Sequence, residues 1–155
     1  MSNTPGSTRQ QRTSRPTRSL SAGECRDWLA SHREGRLAYQ TGRGPRSVVV
    51  SYAVTDRHIM FRLPDYNDIV HYAPGERVTL EVEGGVHAPV QAFESVSVTG
   101  EAQLAGGDDP AVLQEAQFEE QWPAGVRTSV ICLPITEMVG FQEPTVLRQA
   151  QGAWA

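Results

Sequence analysis

The chain has 155 residues, 39% of them hydrophobic, and no apolar run approaching the roughly 20 residues that a membrane-spanning helix needs. Fourteen arginines and no lysine exclude Schiff-base chemistry, a lysine general base and a lysine phosphate clamp. The whole chain is at −4 while residues 1–18, with Arg9, Arg12, Arg15, Arg18 and no acid, are at +4, so the remainder carries −8 and is a poor surface for nucleic acid.

That first segment, rich in Ser, Thr, Arg and Pro, reads as a disordered basic tail over residues 1–18. No apolar stretch follows its basic residues, so it lacks the shape of a secretory signal, and a cytoplasmic location is expected. Cys25 and Cys132 show no CxxC or Cys/His spacing and are expected to be reduced core residues.

Ser21-Ala-Gly-Glu24 has the form of a capping box and predicts a helix start. Behind it Cys25, Trp28, Leu29 and His32 fall on one stripe, with Gly35 placed to end the helix. From Arg36 the period switches to two. Strands are predicted over 36–41, 47–55 and 58–63, joined by the Gly42-Arg-Gly-Pro45 turn and by Asp56-Arg57. Asp65 reads as the N-cap of a short helix carrying Ile69, Val70 and Ala73, stopped by Pro74-Gly75. Residues 77–83 alternate strictly, 84–92 read as a loop, and 93–105 alternate again. Asp109-Pro110 opens a third predicted helix ending near Trp122-Pro123, and 128–141 form the last β-rich run, interrupted by Pro134. A loose C-terminal tail follows over 143–155.

Six β-runs, about three short helices and hairpin connections predict a mainly β (α+β) fold, a six-stranded antiparallel split β-barrel, rather than a doubly wound sheet. The order of LSAGECRDWLASHREGRLAY, SYAV, IMFR, VSVTGEAQL and ITEMVGF across residues 19–142 resembles the pyridoxamine 5′-phosphate oxidase-like, FMN-binding split-barrel family. The resemblance implies a homodimer with flavin at the subunit interface, acting as an oxidoreductase on a small organic substrate. It also implies a threonine and a lysine holding the cofactor phosphate where this chain has Leu63 and Asp68. At an effective dielectric of about 20, exchanging attraction for repulsion some 5 Å from a phosphate is worth several kcal/mol of gross interaction.

Arg62 is the cation next to these positions, a planar fork suited to phosphate or carboxylate, or else to a salt bridge with Asp65, Asp68 or Glu81. Tyr52 and Ser51 on the preceding strand, Arg46 just before it and Trp122 after the third helix complete the candidate cofactor-binding set. No triad, HExxH or carboxylate pair stands out and no metal site is expected, which suits a fold in which a flavin carries the hydride. Three alternatives accompany FMN: a deazaflavin co-substrate, haem on His58, His71 or His87, and a cofactor-free dimeric ligand-binding module.

Overall fold

The computed structural model describes residues 17–86, 92–105, 114, 118 and 122–144. Ser21 opens the first helix, α1 (Ala22–Ser31), because its Oγ accepts from the Glu24 N–H while Glu24 Oε1 accepts from the Ser21 N–H, each at 3.2 Å. Cys25, Trp28 and Leu29 are buried on its inner stripe, and the Trp28 indole donates to the Val82 carbonyl at 3.0 Å. His32 packs rather than ligates: its ring lies 4.0 Å from that of Trp28 and its Nδ1 sits 2.7 Å from the Trp28 carbonyl.

The helix stops three residues before Gly35, since His32 as C-cap is already extended at φ −117°. Gly35 belongs instead to the next strand, where a Cβ would meet Leu80 Cδ1 at 2.8 Å and the Glu81 carbonyl at 3.0 Å. Its glycine is a packing requirement, not a helix stop.

Ten strands and two helices occur among the described residues, and every strand pairing is antiparallel. In chain order the strands are β1 (Arg18–Ser19), β2 (Glu34–Thr41), β3 (Gly44–Ser51), β4 (Ala53–Val54), β5 (His58–Pro64), β6 (Arg77–Val86), β7 (Ala92–Glu101), β8 (Gln103–Ala105), β9 (Thr128–Pro134) and β10 (Glu137–Pro144). They form a six-stranded sheet in the order β1-β10-β7-β6-β2-β3 and a four-stranded sheet in the order β4-β5-β9-β8.

The six predicted runs become ten strands because three of them break and change sheet, and because Arg18–Ser19 adds a short edge pair. Each break is held by backbone bonds from elsewhere. Tyr52 N–H donates to the Arg33 carbonyl at 2.9 Å, Ala102 N–H to Glu76 at 2.9 Å, and Ile135 N–H to Arg57 at 2.8 Å. The result is barrel-like, but the hydrogen-bond ladder does not close: β3 ends one sheet and β4 ends the other.

The core lies between the sheets, where Leu37, Leu80, Val82, Val96 and Val98 meet Ile59, Phe61, Ile131 and Leu133. A smaller cluster of Met60 and Val130, with Ala53, Ala105, Phe118 and Cys132, covers the opposite face of the small sheet. The second helix, α2 (Asp68–Tyr72), is capped by Asn67, whose side chain accepts from the Ile69 N–H at 2.9 Å. Asp65, expected in that role, accepts instead from the Ser129 hydroxyl. The predicted loop 84–92 is shorter than expected, since β6 and β7 run on as a hairpin to Val86 and from Ala92; residues 87–91 lie outside the described residues. So do most of the third predicted helix, both expected tails apart from their inner ends, and His87. No helix among the described residues is long and apolar enough to cross a membrane.

Candidate functional site

Because β3 has no hydrogen-bonded neighbour on its outer side among the described residues, a seam opens between it and β5 and α2. Two cavities lie along this seam. The smaller, about 390 Å³, is lined by Arg46, Val48, Ser51, Leu63, Asp68 and Trp122 among others. The larger, about 620 Å³, is lined by Arg26, Ser51, Tyr52, Ala53, Arg62 and Phe118 among others. Ser51 borders both.

The candidate residues therefore divide. Arg46, Ser51 and Trp122 share the smaller cavity; Ser51, Tyr52 and Arg62 share the larger. Arg62 and Leu63 are consecutive in β5 and face opposite ways, Leu63 into the main core and Arg62 onto the side of Met60 and Val130.

Each side chain has a definite state. Arg46 Nη1 lies 2.7 Å from Asp68 Oδ2, an exposed ion pair whose charges sum to zero. Arg62 Nε donates to Thr128 Oγ1 at 3.0 Å. None of the three carboxylates weighed for Arg62 pairs with it: Asp65 takes Ser129, Asp68 takes Arg46 and Glu81 takes Ser95. Tyr52 is buried and its hydroxyl donates to the Leu29 carbonyl at 2.7 Å; burial also raises its phenol above the ordinary value. The tyrosine thus holds α1 against the seam, with no donor left for a ligand. Among the described residues the Trp122 indole N–H, buried in the cavity wall, has no hydrogen-bond partner. Such a donor costs about 1–3 kcal/mol unless something supplies an acceptor.

Asn67 and Thr128 were not legible as site residues. Asn67 joins the smaller cavity as the cap of α2, and Thr128 fixes Arg62 through the β5–β9 pairing, which brings together residues 66 positions apart. Among the described residues no group of three or more His, Cys, Asp or Glu side chains is placed to hold a metal. His71 packs edge-on against Tyr72, with ring centroids 4.7 Å apart.

This open pair of antiparallel sheets with a seam at β3 has close counterparts. The model of the pyridoxamine 5′-phosphate oxidase family matches residues 21–142, and the chain belongs to that family. Among solved structures, the FAD binding protein from Mycobacterium smegmatis is 28% identical over 82% of this chain and 98% of its own, with a TM-score of 0.68. A FAD-binding protein from Mesorhizobium loti shares the fold at 24% identity, covering 82% of this chain and 96% of its own, with a TM-score of 0.62. The FAD and heme binding protein from M. smegmatis does so at 12% identity, 79% and 71% coverage and a TM-score of 0.63. No curated protein matches the chain.

Proposed function

We propose that the chain is a flavin-dependent oxidoreductase that holds a flavin nucleotide in the seam beside β3 and acts on a small organic substrate as a cytoplasmic homodimer. The observation that carries this reading is the buried Trp122 N–H in the wall of the smaller cavity, which has no partner among the described residues. The heteroatom-rich edge of an isoalloxazine offers the acceptor it lacks, and Ser51, whose hydroxyl makes no hydrogen bond among the described residues, adds a donor nearby. Val48 and Leu63 supply apolar wall against a ring. The family resemblance implies FMN; the relative at 28% identity is a FAD-binding protein.

Bound flavin supplies hydride transfer. The chain's own residues bind, orient and exclude water. The seam suits the ring better than a terminal phosphate, since Leu63 offers no donor and Asp68 neutralises Arg46. The buried thiol of Cys25 agrees with a reducing compartment. Exposed Val139 and Phe141, two residues apart on β10, give the large sheet an apolar patch for a second copy.

The test is the absorption spectrum of protein purified without added cofactor, followed by titration with FMN and FAD. A band near ~450 nm or micromolar affinity for either is the expected result. A colourless protein that binds neither removes the flavin reading and leaves a cofactor-free ligand-binding module, with deazaflavin to be tried next.

A further inference from the structure

The flavin reading uses the smaller cavity and leaves the larger, about 620 Å³, unassigned. That volume falls in the range of roughly 300–1,000 Å³ typical of small-molecule sites. Its walls come from the second half of α1, the strand break at Tyr52 and the β4–β5 turn, together with Arg62 and Phe118. Of the three arginines in this wall, Arg26 and Arg33 are exposed and Arg62 is half-buried. Arg62 is held there from two strands. Val130 is its register partner on β9, and Thr128, two residues earlier on the same face, stands diagonal to it, so that Arg62 Nε donates to the Thr128 hydroxyl at 3.0 Å. Neither terminal nitrogen has a partner among the described residues, and no carboxylate among them lies within ion-pair distance. A guanidinium held part-way out of water with no counter-ion is a charge whose desolvation is uncompensated, and an anion brought to it supplies the compensation.

The rest of the wall restricts which anion. Asp27, Glu34 and Asp56 border the same cavity and are exposed. Three arginines against three carboxylates leave the wall with no formal charge, so a phosphate dianion gains little from the whole, while a monoanion needs only the one unpaired fork. With Nε already bonded to Thr128, the available pair is Nη1 and Nη2, a planar end-on fork that matches the two oxygens of a carboxylate. Beside it Ala53, Val54 and Phe118 give the cavity an apolar side. Phe118 also packs with Met60 and Val130, on the face of β5 and β9 that carries Arg62. A fixed cation therefore adjoins an aromatic and aliphatic surface.

We propose that the larger cavity is a binding site for a small organic acid, with a single carboxylate seated on Nη1 and Nη2 of Arg62 and an apolar or aromatic body against Phe118, Ala53 and Val54. Thr128 is the positioning residue that orients the fork. The site calls on none of Arg46, Leu63, Asp68 or Trp122, so it stands apart from the flavin reading and either can fail without the other.

The full chain, with no flavin added, is titrated calorimetrically with benzoate, benzamide, acetate and inorganic phosphate, in wild type and in Arg62→Gln, Arg62→Lys, Thr128→Val and Phe118→Ala. Benzoate is expected to bind at least about ten-fold tighter than benzamide, its neutral analogue of the same shape, as one charge-assisted pair is worth. It is also expected to bind tighter than acetate, which lacks the ring. Arg62→Gln is expected to abolish the preference for benzoate over benzamide, and Arg62→Lys to keep part of it, which separates loss of the charge from loss of the fold. Thr128→Val is expected to weaken benzoate and spare benzamide, and Phe118→Ala to weaken both. Benzoate binding no tighter than benzamide overturns the proposal, as does an Arg62→Gln loss shared equally by the two. Phosphate matching benzoate, with the same dependence on Arg62, overturns the carboxylate class. If none of the four probes binds, the site falls, whatever the flavin titration shows.

Discussion

Single atoms decide much of how α1 meets the sheets. The Tyr52 hydroxyl donates to the Leu29 carbonyl in the interior, so Tyr52→Phe leaves that carbonyl with only the long bond from the His32 N–H, 3.4 Å, at a cost of about 1–2 kcal/mol. Chemical denaturation measures this, and flavin affinity should not move. The same residue sets an alkaline limit. Its phenol is raised above 10.0 in the folded state, so it contributes stability that is present below pH 10 and lost as pH climbs beyond it. Unfolding experiments across that range should show a fall in wild type that Tyr52→Phe lacks. Gly140 is a second such point: a Cβ there would lie 2.5 Å from Cys25 Sγ and 3.0 Å from Leu20 Cδ1. Gly140→Ala is expected to cost about 1–3 kcal/mol by overpacking, and adding Cys25→Ala should return part of it.

At the scale of elements, α1 is the piece whose start is best specified. Glu24 closes the capping box and receives both terminal nitrogens of Arg18, at 3.1 and 2.9 Å. These bonds, the one to Arg18 first, hold the Glu24 carboxyl down at about 2, below its ordinary 4.5. A lowered folded value means stability present above pH 4.5 and lost as pH falls towards 2. Thermal midpoints measured across that window should decline in wild type and change less in Glu24→Gln, while Ser21→Ala should cost about 1 kcal/mol at neutral pH. The capping box, the apolar stripe and the alternation of β6 were legible because each is a local pattern with a local cause. The sheet changes at Tyr52, Ala102 and Ile135 were not, since the carbonyls that satisfy those breaks come from Arg33, Glu76 and Arg57. Gly35 misled for the same reason: what excludes its Cβ is β6, 45 positions away at Leu80.

For the molecule as a whole, the site is a product of the open ladder, and only half of it was readable in advance. Arg46, Ser51, Tyr52, Arg62 and Trp122 all border the seam, but their division between two cavities depends on the side of β5 that each faces. The state of each also depends on distant partners, Thr128 for Arg62 and Leu29 for Tyr52. The proposed homodimer is assigned to the exposed face of the large sheet. There Val139 is 51% exposed and Phe141 42%, with Ser97 and Ser95 as their partners on β7 and Glu81 and Glu83 beyond these on β6, so an apolar pair stands next to an acidic border. Burying those two side chains against a second copy recovers apolar surface at about 25 cal/mol per Å², and a charge placed there must instead be desolvated. Light scattering should accordingly give wild type a mass twice 17.0 kDa, and Val139→Glu with Phe141→Glu a mass of 17.0 kDa with the fold retained. Wild type at 17.0 kDa at every concentration would end the dimer reading. A double variant that stays dimeric would move the interface to another face.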